Sequence, residues 1–362
     1  MPPITPEDLE PLAIGAWILG AGGGGSPYHA YLNMCRLLRE GAQVDLMSAD
    51  ALADDDLVAV VSNMGAPLVG QERLIDPAVS AKPVRTMEQY LGRRFRAVMS
   101  LEIGGGNAFQ PLLVGAVLHL PVVDADCMGR AFPEAQMTSF AIGDLPMFPL
   151  TLADVRDNEV IVARAASWQW MERVSPRACV AVGSIAATCK APRTGREVRE
   201  WGIPHSITRA IGIGQAILDA RATHRDPVDA LTDHTGGKRV FGGKVVDIDR
   251  RTTEGFLRGS ARLAGLDEWR GRDMRLEFQN EFAMARLDGV PSIMTPEIIC
   301  VLDTVTGDAI GTETLRYGQR VTVAALPCAS ILTSAKGLTL VGPRAFGYDV
   351  EFRSVFEAAA AS

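Results

Sequence analysis

The stretch FRAVMSLEIGGGNAFQPLLVGAVLHLPVVDAD, residues 95–126, decides the fold class. It opens with an apolar run of strand length over 95–103 and continues through a glycine loop over 104–107. Its pattern predicts a short helix over 109–120 and a second strand over 121–126. Two strands joined by a crossover helix form a right-handed βαβ unit, which implies a parallel sheet buried on both faces.

The flanking regions extend this prediction to two domains. A helix is predicted from Thr5, because Thr5 can cap it and Pro6 suits its first position. From Lys238 onward, short alternating strands separated by turn signals such as Asp288-Gly289 indicate antiparallel structure. We therefore predict an α/β protein. Residues 1–165 form an N-terminal three-layer α/β/α domain with a mostly parallel sheet, and 166–362 form a mixed, then β-rich, C-terminal domain.

The charge and composition of the chain indicate which partners and which cell compartment to expect. The 362 residues carry a formal net charge of −7, which argues against a nucleic-acid partner, since such proteins need a basic face. No apolar run reaches the length of a membrane helix and no signal peptide opens the chain, so we expect no membrane partner. Six scattered cysteines without a CxxC pair indicate reduced thiols and a cytoplasmic location.

The glycine-rich segment GAGGGG, residues 20–25, has two interpretations. It matches G-x-G-x-x-G, but a dinucleotide site requires a preceding strand, and the preceding segment here is a predicted helix. The N–H groups of Gly22, Gly23, Gly24 and Gly25 could instead form a concavity for an anion or a carbonyl group. The segment could equally be a corner between two helices without a ligand.

Polar residues follow the predicted parallel strands at their carboxyl ends, where open sheets bind ligands. We predict that these residues border one hollow together with the first glycine loop. The candidate catalytic residues are Glu102, Asp124 and Asp126. The candidate substrate-binding residues are Gly22, Gly23, Gly24, Gly25, Asn63, Asn107, Arg130 and Glu134.

Clustered carboxylates allow several chemistries. They raise one another's pKa, bind a cation or pair with a base such as Arg130. Acids with a raised pKa serve as general acids, and ionised ones serve as bases or metal ligands. Asp124 and Asp126 are therefore also candidate ligands for a divalent metal such as zinc, although the sequence establishes no cofactor. The alternative is that both aspartates cap the following helix and pair with Arg130.

Two further features remain open on sequence grounds. Cys127 adjoins Asp126, but no histidine is close in sequence to activate it, so a buried thiol is favoured over a nucleophile. Gln279-Asn280-Glu281 places three polar residues in an otherwise apolar strand. This run indicates either a buried hydrogen-bond network or the wall of a cleft.

Several blocks together resemble a bacterial family whose founding activity is S-methyl thiohydantoin desulfurase. The resemblance covers roughly residues 5–350, and the order of the blocks is that of the family. The blocks are LGAGGGGSPY (19–28), NMGAP (63–67), EIGGGN (102–107), PVVDADCMGRAFPE (121–134), FGGKVVDIDRRTTEGFLRG (241–259), EFQNEF (277–282), LRYGQRV (315–321) and GPRAFGYD (342–349).

The resemblance implies an α/β domain carrying the glycine loops, a β-rich C-terminal domain, and hydrolase chemistry on thiohydantoin or hydantoin rings. It also implies a functional link to hydantoinase or oxoprolinase proteins. The chain departs from the family pattern where Ala21 and Ser26 replace the usual Thr and Asp, and where Cys127 replaces a usual Gly. A histidine often found near the position of Ala141 is absent, which puts the activity in doubt if that histidine is a ligand or base.

We therefore expect a cytoplasmic, homo-oligomeric hydrolase that acts on a small cyclic amide or thioamide by acid–base or metal-assisted attack of water. One alternative is a catalytically silent protein that binds a small metabolite or assists a hydantoinase. Another is a nucleotide-dependent enzyme that uses the first glycine loop for phosphate.

Overall fold

The computed structural model describes residues 1–65, 76–253 and 256–357, so Ala66 and Pro67 of the NMGAP block lie outside the described residues. The helices are α1 (Pro6–Leu19), α2 (Tyr28–Arg39), α3 (Pro77–Leu91), α4 (Gln110–Leu118), α5 (Ser139–Ile142), α6 (Trp168–Ala181), α7 (Gly195–Trp201), α8 (Ser206–Ala222), α9 (Pro227–Thr235) and α10 (Ala335–Val341). The strands are β1 (Leu46–Met47), β2 (Leu57–Gly65), β3 (Ala97–Ser100), β4 (Val122–Val123), β5 (Ala125–Asp126), β6 (Leu150–Ala153), β7 (Glu159–Val162), β8 (Ile185–Thr194), β9 (Ile203–Pro204), β10 (Lys238–Thr253), β11 (Phe256–Gly265), β12 (Asp273–Gln279), β13 (Glu281–Leu287), β14 (Val290–Met294), β15 (Ile298–Asp303) and β16 (Arg320–Leu326).

The first sheet has the strand order β1-β4-β3-β2-β8-β6-β7. Strands β1, β4, β3 and β2 pair in parallel, whereas β8, β6 and β7 are added by antiparallel pairing. Five of its seven described strands therefore point the same way, which confirms a mostly parallel sheet. Strand β8 follows residue 165, so the sheet extends beyond the predicted boundary, and the division into 1–165 and 166–362 stays a prediction.

The central strand β2 is buried on both faces, as the apolar sequence LVAVVS predicts. Ala59 and Val61 belong to the core beneath helices α1 and α4, whereas Val58 and Val60 belong to the core beneath helix α7. Alternating side chains of a strand point to opposite faces, so apolar side chains cover this strand from both sides. The predicted three-layer arrangement of the whole domain stays a prediction.

The βαβ unit of residues 95–126 is confirmed, with one interruption. Strand β3, a 3₁₀ turn over Gly105–Phe109, helix α4 and strand β4 follow in order, and Val98 pairs in parallel with Val122. The predicted strand 121–126 divides at Asp124, after which β5 pairs with the short strand β9. Because of this division, the carboxyl groups of Asp124 and Asp126 accept hydrogen bonds from different parts of the chain.

The second sheet is antiparallel throughout its described pairs, in the order β14-β13-β12-β11-β10-β16-β15, which confirms the β-rich C-terminal region. One face carries an apolar core that includes Met274, Leu276 and Phe278 of β12. The first glycine loop connects to this sheet directly, because Phe282 N donates to Ala21 O at 2.8 Å and Thr312 N donates to Gly22 O at 2.8 Å.

Helix α1 crosses helix α8 at very close range. A Cβ atom on Gly15 would lie 1.8 Å from Ala210 O, and one on Gly214 would lie 1.9 Å from Pro11 O. Only glycine allows this approach of two backbones. The predicted start of α1 is confirmed, since Thr5 and Asp8 form a reciprocal capping box.

All six cysteines are free thiols. Among the described residues, no helix is long and apolar enough to cross a membrane.

Candidate active site

Three loops from separate parts of the chain meet at the carboxyl ends of β3 and β5. Gly106 N donates to Gly24 O at 3.1 Å and to Gly25 O at 3.0 Å, and Ala131 N donates to Leu19 O at 3.1 Å. Gly105 has φ +64°, and a Cβ there would lie 2.4 Å from Gly24 O. The glycines thus let the two glycine loops pack directly against each other.

Glu281 of β13 inserts its carboxyl group against the first glycine loop. A Cβ on Gly23 would lie 2.1 Å from Glu281 Oε1, so the absence of a side chain at Gly23 makes room for this carboxyl. Gly23 N donates to Gly20 O at 2.9 Å, and the Gly24 backbone lowers the pKa of Glu281 against the effect of burial. A carboxyl group of the protein itself therefore packs against the loop that the sequence analysis proposed for a ligand.

Glu102 is positioned by the second glycine loop. Asn107 Nδ2 donates to Glu102 Oε1, and Asn107 Oδ1 accepts from the Asn63 backbone N–H at 2.7 Å. Asn63 and Asn107 were both predicted as binding residues. Together they form a chain of two hydrogen bonds that runs from the end of β2 to Glu102 and orients its carboxyl group.

Asp126 is fully buried at the end of β5. Its Oδ2 accepts from Gly129 N at 2.8 Å, from Ile103 N at 2.9 Å and from Met128 N at 3.3 Å. The carboxyl group therefore ties the loop after β3 to the loop after β5, and Oδ2 has a fixed orientation.

Glu102, Asp126 and Glu281, which we call the acidic cluster, share two properties. Burial raises the pKa of Glu102 to about 7, of Asp126 to about 7 and of Glu281 to about 8. Charge repulsion adds to this rise, from Asp126 at Glu102 and from Glu102 at Glu281. Each group also has one oxygen without a hydrogen-bond partner in the described part of the chain: Glu102 Oε2, Asp126 Oδ1 and Glu281 Oε2.

Arg130 supplies a buried positive charge beside the acidic cluster. Its side chain is fully buried and donates to three backbone carbonyls: Ala131 O at 3.0 Å, Glu297 O at 2.8 Å and Phe282 O at 3.2 Å. The guanidinium also lies 4.8 Å from the centre of the Phe132 ring. Arg130 therefore links the loop after β5 to the second sheet, and its charge lowers the pKa of Glu281 against the effect of burial.

Asp124 has a different set of contacts from Asp126. Its Oδ1 accepts from Ile207 N at 2.8 Å and Thr208 N at 3.1 Å, and its Oδ2 accepts from Thr208 Oγ1 at 2.6 Å. These donors are the first turn of α8, so Asp124 caps that helix from a distant strand. Asp124 therefore caps a helix, as the alternative interpretation of the sequence proposed. The capped helix is α8, however, and not the helix that directly follows the strand.

Lys190 of β8 was not anticipated from the sequence. It is half-buried beside Leu101 in a cavity of about 20 Å³, and burial lowers its pKa, opposed by the charges of Glu172 and Glu102. Glu172 accepts from Ala135 N at 2.9 Å, and burial raises the pKa of its carboxyl. A single lysine in an apolar strand gives no sequence signal, whereas the polar run at 279–281 did mark Glu281.

Glu134 and Cys127 lie near the acidic cluster without joining it. Glu134 accepts from Gln136 Nε2, and at 3.4 Å from Gln279 Nε2 of the second sheet. Cys127 Sγ donates to Leu101 O at 3.0 Å, and burial raises the pKa of its thiol well above the usual value. These contacts describe an inert thiol.

Hydrogen-bond donors occupy most of the carboxylate oxygens at the predicted metal site. Asp124 faces hydrogen donors on both oxygens, and Asp126 Oδ2 faces three N–H groups, so few lone pairs remain for a shared cation. Within residues 1–65, 76–253 and 256–357, no group of three or more His, Cys, Asp and Glu side chains is placed to hold a metal ion. Zinc at Asp124 and Asp126 stays an untested prediction.

Comparisons with known proteins agree with the architecture. A crystal structure of a protein from Chromobacterium violaceum superposes with a TM-score of 0.83 at 22% sequence identity, covering 98% of this chain and 100% of that one. At that identity the likeness shows the fold alone. No curated protein matches the chain.

Sequence models of one family match almost the whole chain. The model described as "S-Me-THD-like, N-terminal domain" matches residues 7–164, and that described as "S-Me-THD-like, C-terminal domain" matches residues 166–355. The chain therefore belongs to the S-Me-THD-like family, the thiohydantoin desulfurase-like family that its sequence blocks resemble.

Proposed function

We propose that this protein hydrolyses a small cyclic amide or thioamide ring of the thiohydantoin or hydantoin type, by acid–base catalysis at the acidic cluster. The family name supports a thiohydantoin-related activity. The observation that carries the mechanism is three buried carboxyl groups with pKa values of about 7 to 8, each with one oxygen that has no partner among the described residues.

Carboxyl groups with these pKa values can exchange protons near neutral pH. A general acid or base works best when its pKa lies near the working pH. Burial and the repulsion between the two groups disfavour ionising Glu102 and Glu281 together, so one carboxyl group is expected to hold a proton while the other is ionised. The pair therefore supplies one proton acceptor and one proton donor.

For a ring that carries a methylthio group, water replaces the methylthio group with the help of two proton transfers. Glu102 takes a proton from water, the water oxygen bonds to the ring carbon, and the carbon–sulfur bond breaks. Glu281 gives its proton to the departing sulfur, which leaves as methanethiol, and the proton of the new hydroxyl group moves to the ring nitrogen, so that the ring becomes a hydantoin. Proton exchange between the two carboxyl groups restores the starting state.

The other residues support this chemistry by position and charge. Asn107 fixes one oxygen of Glu102, and the first glycine loop fixes Glu281. Arg130 is a permanent charge close to the site, and fixed charges of this kind stabilise developing negative charge in a dry environment. Asp126 holds the two loops in register, and its free Oδ1 is a second candidate acceptor. Substrate contacts by Gly22 and Gly25, a homo-oligomeric state, a cytoplasmic location and a hydantoinase-related partner stay proposals.

The test is release of methanethiol from an S-methyl thiohydantoin, followed with a thiol reagent. Glu102→Gln and Glu281→Gln keep the size of the side chain and remove the exchangeable proton. We expect each to lower the rate by about 100-fold or more, the usual contribution of a general acid or base. Glu88→Gln is the matched control, because Glu88 is a buried glutamate that is hydrogen-bonded to Arg94 and Phe95, outside the cluster.

Two results would contradict the proposal. Unchanged release in both cluster variants would remove the acidic cluster from the mechanism. Absence of any release by the unaltered protein, together with thermal stabilisation by hydantoins, would instead favour the silent metabolite-binding protein.

A further inference from the structure

A cavity of about 420 Å³ lies on the second sheet, on the side away from its apolar core. Its charged lining consists of Arg258, Arg275, Arg286, Asp249 and Glu277, and Tyr348 of the C-terminal segment also lines it. Three guanidinium groups therefore face two carboxylates. A local excess of positive charge is notable in a chain whose formal net charge is −7.

Strand register explains why these side chains gather on one face. Arg275 of β12 pairs directly with Arg286 of β13, and Arg258 of β11 pairs with Gln279 of β12. Side chains alternate between the faces of a strand, so the polar residues at 275, 277 and 279 share the face opposite the apolar core. Their placement on one face follows from the pleat of the sheet.

The ion pairs of Arg275 and Arg286 with Glu277 engage only part of each guanidinium group. Arg275 Nε lies 3.3 Å from Glu277 Oε1, and Arg286 Nε lies 3.5 Å from Glu277 Oε2. A single carboxylate is thus shared by two guanidinium groups at distances longer than a good charged hydrogen bond. Guanidinium groups bind carboxylate and phosphate oxygens through a planar array of donors, and most of that array is not engaged by Glu277.

Tyr348 adds a neutral donor to the same wall. Burial and the charge of Glu277 raise the pKa of Tyr348 to about 12, so its phenol stays protonated at neutral pH. A protonated phenol can donate to an anionic oxygen.

We propose that this cavity binds a small anion through its carboxylate or phosphoryl oxygens, with Arg275, Arg286 and Tyr348 as the principal donors. The volume suits a small metabolite, since ligand sites commonly occupy about 300–1,000 Å³. The proposal does not depend on the chemistry of the acidic cluster. The two sites are neighbours, because Gln279 lines the cavity and pairs across the hairpin with Glu281 of the acidic cluster.

The test is calorimetric titration of the full chain at low ionic strength with succinate, with inorganic phosphate and with succinamide. Succinamide has the shape of succinate without its charge. We expect saturable binding of succinate or phosphate and none of succinamide, and we expect added salt to weaken it. The anion that binds more tightly identifies the chemistry of the natural ligand.

Arg286→Gln should weaken anion binding by about tenfold or more, since it removes charge-assisted hydrogen bonds. Tyr348→Phe keeps the ring and should weaken binding by several-fold, which provides a second test if Arg286→Gln folds poorly. Arg262→Gln is the matched control. Arg262 lies opposite Arg275 on the neighbouring strand, in a 3.9 Å ion pair with Asp273 and outside the cavity lining, so its loss removes a nearby charge without removing a proposed donor and should weaken binding much less than Arg286→Gln does.

Either of two outcomes would overturn the proposal. One is the absence of saturable binding of both anions up to about 10 mM, which is weaker than a specific small-molecule site. The other is an equal loss of affinity in Arg286→Gln and Arg262→Gln, which would show general attraction to a positive surface.

Discussion

At the scale of single residues, Asp124 and Asp126 show how two similar side chains acquire different roles. They are two positions apart, and the sequence suggests a shared face. The break between β4 and β5 turns Asp124 toward the first turn of α8, where both oxygens accept hydrogen bonds. Asp126 instead keeps one oxygen without a partner among the described residues.

Asp124→Asn should therefore reduce stability more than activity. Losing the charge at a helix N-terminus and one good acceptor should lower the free energy of unfolding by about 1–3 kcal/mol. Urea denaturation measures this loss. Methanethiol release per folded molecule, assayed well below the melting temperature, should stay close to that of the unaltered protein. A loss of about 100-fold in fully folded protein would support the predicted catalytic role of Asp124 instead.

The sequence predicted individual site residues best where a local pattern marked them. Glu102 and Asp126 follow apolar strands directly, and that position is what suggested them. Glu281 comes from the second sheet, about 180 residues further along the chain than Glu102, and only the polar run at 279–281 pointed to it. No local sequence pattern indicated Lys190, because its position near the site depends on the pairing of β8 with β2.

At the scale of elements, hydrophobic periodicity predicted helix α1, the βαβ unit and the antiparallel strands after Lys238. These features depend on residues close in sequence. The antiparallel strand β8 within the first sheet was not predicted, because strand direction depends on long-range pairing that local patterns do not encode. The crossing of α1 and α8 could likewise not be predicted, because the sequence around Gly15 and Gly214 does not distinguish them from other helical glycines.

Gly214→Ala tests that crossing. The new methyl group would lie 1.9 Å from Pro11 O, so the helices must separate, at a cost of about 1–3 kcal/mol. Gly212→Ala in the same helix is the matched control, because its Cβ would meet only the tip of His234 at 2.9 Å. That change should be neutral or stabilising by up to about 1 kcal/mol, since alanine favours helix. Equal melting temperatures for the two variants would refute the close contact.

At the scale of the whole molecule, the interior holds a set of buried charges of both signs. Glu102, Asp126, Glu172 and Glu281 are its acids, and Arg130, Lys190 and Arg209 are its bases. Burial opposes the charged form of each group. Opposite charges within the set offset part of the cost of burying each one.

Titration of the acidic cluster should lower the stability of the protein as the pH rises. The pKa of Glu281 is raised from 4.5 to about 8 on folding, so the folded state binds the proton more tightly than the unfolded state. Its contribution is fully present below pH 4.5 and is lost as the pH rises through 8. Glu102 and Asp126, each with a folded-state pKa of about 7, act with the same sign.

Glu281→Gln should reduce this pH dependence. Each pKa unit corresponds to about 1.4 kcal/mol, so the variant should lose less free energy of unfolding between pH 5 and pH 9 than the unaltered protein, by at least about 1 kcal/mol. Urea denaturation at both pH values measures the difference. Replacement of the exposed Glu268 by Gln is the control. A pH dependence in Glu281→Gln as steep as in the unaltered protein would show that Glu281 does not titrate in this range.

The insertion of β8 between β2 and β6 limits how the chain can be cut into separately expressed fragments. A polypeptide ending near residue 165 would lack the strand that fills the middle of its sheet, so both neighbouring edges would be open to other chains. It would also bury Arg130 without the carbonyls of Phe282 and Glu297. Residues 7–164 and 166–355, which the two family models match, should therefore fold only when both are present, either in one chain or as two associating fragments. Neither segment should be stable on its own.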